Sequence, residues 1–330
     1  MKLYFLRHNK AQGGTWQELN AHCTALTKTF VSSLKPESGP KRLRAIGRVV
    51  PQESHPYTAH RKDMVKDPKL FIIGTFPPAS YLLTQLNVDS IAMGAETVKS
   101  RPLIDFYHGN DGMLWRCLSI PDATPKKCLD LLREHGAVYA DIIASCTRER
   151  ITDTADARLQ DILLNQPLMN EVLDRADKPH LWFTSSGVFN STGLQVHVNH
   201  TSSGMPGNVV IKLRDPYSLF LRGLQDDGHH LAVRRDGKSE WIAVEADNRT
   251  ALSGLQHLTC HQLRVHIGPD HRVQRVYTVY TGPSPSGAAA LQMGKNPNYR
   301  TWSSKNPDAK TPTVEFRSYL YAQFLQRTWR

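Results

Sequence analysis

Residues Lys69–Gly74 read KLFIIG, a short apolar run that a glycine ends. A run of this length, apolar on both faces and closed by a turn residue, is typical of a strand buried in a parallel sheet. Three further segments fit strands, and they are residues 137–143, 180–184 and 273–280. Together, the four segments predict the strands of a central sheet.

Helical segments separate these strands. Thr124 and Pro125 begin one helix as N-cap and first-turn proline, and Gly136 ends it. Residues 156–176 predict one or two more helices. A last helix begins at Thr311–Pro312. This alternation predicts an α/β chain, a three-layer α/β/α fold around a short, mostly parallel four-stranded central sheet.

Two stretches interrupt the alternation. Residues 1–68 predict a basic N-terminal extension, and residues 69–330 predict one domain. Within that domain, residues 190–270 contain short strand-like pieces and turns such as Asp226–Gly228 and Arg235–Gly237. We therefore expect residues 190–270 to form an inserted, β-containing segment.

The positive charge of the chain lies at its two ends. The net charge is +11. Residues 1–68 hold 12 Lys/Arg against 5 Asp/Glu, and residues 291–330 hold 7 against 2, whereas residues 69–290 hold 22 against 23. Such a distribution attracts a polyanion, most simply the backbone of a nucleic acid.

Composition excludes several classes of protein. Hydrophobic residues make up 40% of the chain, which is enough for a buried core. No apolar run approaches the roughly 18 residues that span a bilayer, and the first residues do not form a signal peptide. The five cysteines are odd in number and include no CxxC. We therefore expect a cytoplasmic protein, associated with the nucleoid if prokaryotic, with no membrane partner.

Polar or glycine-rich turns follow three of the predicted strands. They are Gly74–Pro78 (GTFPP), the segment around Asp141 and Ser145, and Gly282–Gly287 (GPSPSG). Ligands of open parallel sheets bind at the carboxyl ends of the strands. The sequence therefore predicts a site at this edge of the sheet.

The order of these pieces resembles the uracil-DNA glycosylase superfamily, most closely its mismatch-specific uracil/thymine and hypoxanthine branches. Gly74–Pro78 is similar to its first motif, and Phe106–Trp115 (FYHGNDGMLW) is similar to its aromatic segment. Gly136–Arg148 (GAVYADIIASCTR) resembles a segment of the hypoxanthine branch, and Pro283–Gly287 (PSPSG) resembles the closing motif. The resemblance covers residues 69–187 and 273–325.

The resemblance implies a monofunctional DNA glycosylase, which turns a base out of the DNA and hydrolyses its N-glycosidic bond. The implied base-binding residues are Gly74, Thr75, Phe76, Pro77, Phe106, Tyr107, Ser185 and Ser186. The implied DNA-binding residues are Pro283, Ser284, Pro285, Ser286, Gly287, Leu291, Lys295, Arg300 and Lys305. The backbone N–H groups of the closing motif suit phosphates. Ala288, Ala289 and Leu291 follow where the family often places a wedge into the base stack, and because the two alanines are small, the wedge is Leu291 or another loop.

This sequence departs from the family at two positions. Phe76 stands where the family often carries the Asp or Asn that positions the attacking water, so that role passes to Asn110 or Asp111, with Asp105 and Asp141 in reserve. Ser185–Ser186 replaces the Asn that reads the base edge in uracil enzymes, and serine cannot form its bidentate contact. We therefore expect a base other than plain uracil.

The expected partner is double-stranded or single-stranded DNA, bound by a monomer. A cluster of histidines and a cysteine between His257 and His271 fits no standard zinc spacing, so no metal or other cofactor is expected. The preferred base is hypoxanthine or a bulky modified pyrimidine of phage DNA, the latter in antiviral defence. Two alternatives stay open, a catalytically silent nucleic-acid-binding protein on a glycosylase scaffold and an unrelated hydrolase of nucleotides.

Overall fold

The computed structural model describes residues 53–55, 65–76, 113–120, 122–148, 159–184, 195–200, 206–212, 216–244, 260–267, 272–285, 290 and 293–328. The chain divides into two compact units. The first unit comprises residues 1–68 and 75–165, and the second comprises residues 69–74 and 166–330. In the described part of the chain, no helix is both long enough and apolar enough to cross a membrane.

The described residues contain twelve strands, which fall into three sheets. Those before residue 190 are β1 (Glu53–Ser54), β2 (Leu70–Gly74), β3 (Ala137–Asp141), β4 (Ile143–Arg148), β5 (Leu159–Leu164) and β6 (His180–Phe183). Those after it are β7 (Gln195–His200), β8 (Pro206–Lys212), β9 (His230–Arg235), β10 (Ile242–Val244), β11 (Cys260–Ile267) and β12 (Val273–Thr281).

Six α-helices and one short 3-10 helix lie in the same residues. The α-helices are α1 (Met113–Cys117), α2 (Pro125–Glu134), α3 (Gln166–Asp174), α4 (Pro216–Asp226), α5 (Pro297–Lys305) and α6 (Pro312–Thr328). The 3-10 helix spans Met293–Lys295. The predicted start of α2 is confirmed, because the Thr124 side chain accepts a hydrogen bond from the backbone N–H of Lys127 at 3.3 Å.

The largest sheet has seven strands in the order β10-β9-β11-β12-β6-β2-β3. The pairs β12–β6 and β6–β2 are parallel, whereas β10–β9, β9–β11 and β11–β12 are antiparallel. The four strands that the sequence predicts are all present, as β2, β3, β6 and β12, so the α/β class is confirmed. The prediction of a four-stranded sheet is wrong in the number of strands. β11 of the predicted insertion pairs with β12, β9 pairs with β11 and β10 pairs with β9, which extends the sheet to seven strands.

In the second unit, helices cover both faces of the strands. Successive residues of a strand point to opposite faces. Trp182 packs against Tyr321 of α6 with ring centroids 4.9 Å apart, whereas the next residue, Phe183, lies 4.8 Å from Tyr217 of α4. Because these rings are fully buried, they form the main core of this unit.

The first unit contains a smaller antiparallel sheet in the order β1-β4-β5. Its register places Ser54 of β1 opposite Ser145 of β4. The backbone N–H of His55, directly after β1, donates to the carbonyl of Ala144 at 2.7 Å. The end of the predicted basic extension thus pairs with β4, and this pairing fixes the position of His55.

The interpretation of residues 156–176 as helical is wrong for residues 159–164, which form β5. Leu159, Ile162 and Leu163 are spaced as on one face of a helix, yet they lie in β5, and only α3 is helical. Asp161 has a φ of 46°, and the β4–β5 register shifts nearby. An irregular strand of this kind breaks the period of two, so its apolar spacing imitates a helix.

Candidate active site

Three parallel strands of the second unit end at one edge. The register aligns Ile73 of β2 with Phe183 of β6, and Phe183 with Thr281 of β12. Thr184 continues from β6, and its backbone N–H donates to the carbonyl of Ile73 at 2.9 Å. The segments that begin at Gly74 and at Gly282 therefore start from the same edge, where ligands of such sheets bind.

Gly282 lies where the end of β12 passes close to α6. A Cβ atom at this position would lie 3.2 Å from a ring carbon of Phe324 and 3.3 Å from one of Tyr321. The two rings leave little room for a side chain. The absence of a Cβ therefore lets the segment after β12 leave the sheet against α6.

Thr75 and Phe76, which follow β2 in sequence, lie in the first unit and are buried. The carbonyl of Thr75 accepts from the backbone N–H of Ile143 at 3.2 Å. The Phe76 ring, 8% exposed, meets the ring of His55 edge-on with centroids 5.5 Å apart. Phe76 is thus held against a histidine that the sequence analysis did not single out.

His55 and Asp141 form a buried pair in the first unit. The Nε2 atom of His55 lies 2.8 Å from Oδ2 of Asp141, and each residue is 3% exposed. If the imidazole carries its proton on Nε2, it donates to the carboxylate and holds it in one orientation. A carboxylate in such a buried position exerts a stronger field than one in water.

The backbone around Asp141 is also fixed. The side-chain amide of Asn165 donates to the carbonyl of Asp141 at 3.0 Å, and the backbone N–H of Asn165 donates to the carbonyl of Ile142 at 2.7 Å. Ser145, named in the sequence analysis beside Asp141, is buried on β4. These contacts make the end of β3 a rigid support for the carboxylate.

The closing loop, which comprises Pro283, Ser284 and Pro285, is anchored by α6. The hydroxyl of Tyr321 donates to the carbonyl of Pro283 at 2.5 Å, and Nη1 of Arg317 donates to the carbonyl of Pro285 at 2.9 Å. Both donors come from successive turns of one helix, so they hold both prolines of the loop in place. Ser284 between them is half-buried.

Arg317 is a charged side chain with 0% exposure. Within the described part of the chain, its Nε and Nη2 atoms have no hydrogen-bond partner, and the guanidinium forms no ion pair. A buried guanidinium keeps its charge and its desolvation is costly. Its contact to Pro285 therefore places an uncompensated positive charge directly behind the closing loop.

The predicted DNA-binding side chains after the closing loop lie around α5. Arg300 is exposed, and its Nε donates to the carbonyl of Gly294 at 2.6 Å. Lys305, in the last turn of the same helix, is exposed as well. Lys295 ends the short 3-10 helix before α5.

Eleven predicted site residues lie outside the described residues. They are Pro77, Asp105, Phe106, Tyr107, Asn110, Asp111, Ser185, Ser186, Ser286, Gly287 and Leu291. Their roles stay predictions. Sequence reasoning missed His55 because it lies 86 positions before Asp141. The only local signal for it is its place directly before Pro56 in the predicted basic extension.

The two histidines of β11 lie on opposite faces of the strand. Alternation along the strand puts Cys260 and His266 on one face and His261 on the other. His261 is buried, with Nε2 2.6 Å from the hydroxyl of Tyr217, and burial lowers its pKa to about 3. Among the described residues, no group of three or more His, Cys, Asp or Glu side chains is arranged to hold a metal ion.

No protein-family model, curated protein or solved structure matches this chain.

Proposed function

We propose that the protein is a DNA glycosylase that hydrolyses the N-glycosidic bond of a damaged or modified base and leaves an abasic site. The observation that carries the proposal is the buried His55–Asp141 pair, packed beside Phe76 of the motif that follows β2. The ordered series of motifs from Gly74 to Gly287 and the positive charge at both chain ends support the same function.

The chemistry needs a negative charge close to the sugar. As the bond between C1′ and the base nitrogen breaks, its electron pair goes to the base and positive charge develops on the sugar. The buried carboxylate of Asp141 is suited to stabilise that charge, and His55 is suited to keep it oriented. The oxygen of water then bonds to C1′ and loses a proton, while the base gains one.

Asn110 or Asp111 is proposed to position the attacking water, and Asp105 is the reserve candidate. Phe76 cannot take that role, because its ring neither donates nor accepts a conventional hydrogen bond. In the proposed complex, the half-buried closing loop and the exposed Arg300 and Lys305 contact DNA phosphates.

The base is proposed to be hypoxanthine or a bulky modified pyrimidine. Serines at 185 and 186 favour a base other than uracil, because neither forms the paired contact of an amide. The predicted insertion supports a base pocket whose rim differs from that of uracil enzymes. Its strands β9–β11 extend the same sheet that carries Gly74 and Gly282.

Base release from a panel of DNA duplexes tests the proposal. The full chain is incubated with plain, uracil-, hypoxanthine- and hypermodified-pyrimidine-containing DNA under identical conditions. We expect mass spectrometry to detect a freed base, and alkali to cleave the product at an abasic site, for hypoxanthine or the hypermodified base.

Other outcomes of this panel contradict the proposal in different ways. DNA binding without release of any base indicates the catalytically silent binder. Release of base from free nucleosides, but not from DNA, indicates a nucleotide hydrolase. Efficient release of uracil alone keeps the enzyme class but overturns the substrate.

Arg317→Met tests the closing loop. We expect DNA affinity to fall at least about tenfold, because the carbonyl of Pro285 loses its donor and the loop loses the charge behind it. The free energy of unfolding should change by less than about 1 kcal/mol, since an uncompensated buried charge adds little stability. Fluorescence anisotropy and urea unfolding measure the two quantities.

Arg327→Met is the matched control for that variant. Arg327 lies on the same helix, is exposed and pairs with Asp236 at 3.2 Å. It should leave both quantities unchanged. A loss of several kcal/mol with unaltered DNA affinity in Arg317→Met would show that Arg317 is purely structural.

A further inference from the structure

Two arginines, one on β9 and one on β11, form a cluster with a tryptophan that directly precedes β10. The Cζ atom of Arg234 lies 4.8 Å, and that of Arg264 lies 4.4 Å, from the ring centroid of Trp241. All three residues are half-buried. The stacking attracts each guanidinium to the ring and brings two like charges close together.

The register explains why these side chains meet. Arg234 of β9 is opposite Gln262 of β11, and Ala232 is opposite Arg264. Residues opposite each other in an antiparallel pair share a face, so both arginines lie on the same side of the sheet. Arg234 donates from Nε to Oε1 of Gln262 at 3.1 Å and from Nη2 to the same oxygen.

Neither guanidinium has a carboxylate partner among the residues that the structure describes. Arg234 and Arg264 form no ion pair with a described residue, and Nε of Arg264 has no hydrogen-bond partner. Other arginines of the same unit are paired, namely Arg175 with Asp177, Arg222 with Asp226 and Arg327 with Asp236. The two clustered arginines are therefore left with charge that an external anion can neutralise.

The described residues of β9–β12 and of the turns beside them carry a net positive charge. Residues 69–290 are close to neutral, yet residues 228–244, 260–267 and 272–285 hold six Arg/Lys against two Asp/Glu. One of those two carboxylates, Asp236, already pairs with Arg327. Positive charge is thus concentrated on β9–β12 and the described turns beside them, on both faces of the sheet, within an otherwise neutral stretch.

We propose that Arg234, Arg264 and Trp241 form a second DNA-binding surface, which holds backbone phosphates through the two guanidinium groups. Planar guanidinium groups match phosphate oxygens, and a tryptophan that pre-orders them lowers the entropy lost on binding. The register pairs Arg264 with Val276 through β11–β12. Val276 lies five residues before Thr281, or about 16 Å along the strand, so this surface is separate from the closing loop.

The test compares the full chain with Arg234→Ala/Arg264→Ala. Fluorescence anisotropy measures the affinity for a labelled, unmodified 20-base-pair duplex between 50 and 200 mM NaCl. Each lost phosphate contact reduces the slope of log K against log salt by about 0.9. We therefore expect the slope to fall by about 2, and the affinity at 100 mM salt to fall by about 10- to 100-fold.

The matched control is Arg175→Ala/Arg222→Ala. It removes the same two positive charges from the same unit, but both arginines already pair with their own aspartates. It should keep the wild-type slope. An unchanged slope in Arg234→Ala/Arg264→Ala, or an equal loss in the control, overturns the proposal.

Gln262→Glu keeps the test valid if the double variant fails to fold. It places a carboxylate beside Arg234 without removing either arginine or the ring, and it should also reduce the slope. The assay uses plain DNA, so its result is distinct from base release. If the variants reduce the slope but the wild type releases no base, this inference stands and the proposed function is overturned. If the wild type releases a base but the variants keep the wild-type slope, the proposed function stands and this inference is overturned.

Discussion

Asp141→Asn is expected to lower the single-turnover rate of base release by about 10²–10⁴-fold while DNA affinity stays at the wild-type level. Asparagine keeps the shape and one oxygen for the contact from His55, which lies 2.8 Å from the carboxylate. It removes the negative charge that the cationic sugar requires. The fold should persist, because the amide is isosteric.

Asp130→Asn is the control for that variant. Asp130 is an exposed carboxylate of the same unit, paired with Lys126 on α2. Its loss should leave the rate unaltered. A full rate for Asp141→Asn would remove Asp141 from the reaction, and Asn110→Ala and Asp111→Ala in the same assay would then identify the residue that acts.

Acidification is expected to destabilise the protein below pH 6.5 through His261. Burial lowers the pKa of His261 to about 3 in the folded state, against about 6.5 when unfolded. Between these values the unfolded state binds more protons, so the free energy of unfolding falls as the pH falls, by up to about 1.4 kcal/mol per pH unit. Two units below pH 6.5, at pH 4.5, the loss from this group reaches about 2.7 kcal/mol.

Urea unfolding at several pH values measures this effect. Tyr217→Phe/His261→Leu removes the titrating ring and the hydroxyl that lies 2.6 Å from it. This variant should lose about 2–3 kcal/mol less than the wild type between pH 7 and 4.5. His230→Gln, an exposed histidine on β9, should keep the wild-type dependence. Parallel curves for Tyr217→Phe/His261→Leu and the wild type would contradict the prediction.

Local sequence was sufficient for the elements whose pattern is regular. KLFIIG at residues 69–74 predicts β2 because a central strand buried on both faces must be apolar throughout, and Leu70 to Ile73 are indeed at most 2% exposed. The predicted helix starts at Pro125 and Pro312 are also confirmed. These predictions succeeded because the residues that signal a helix start are local. Capping depends on residues within one turn of each other.

The same reasoning gave a wrong prediction for β5, because the backbone of this strand is irregular. The apolar spacing of Leu159, Ile162 and Leu163 has the period of a helix, but Asp161 takes a left-handed φ and the strand bulges. Leu163 is left 57% exposed. The pairing of β5 with β4 decides its conformation, and that pairing is a tertiary contact.

The sequence by itself determined the α/β class, the four strands β2, β3, β6 and β12 and the starts of α2 and α6, because each depends on neighbouring residues. Only the tertiary structure decided that β9–β11 extend the sheet, that His55 meets Asp141, and that Arg234 and Arg264 share Trp241. Each of these joins segments far apart in the chain. Their pairing is selected by burial and register across the whole fold, which no local pattern of residues contains.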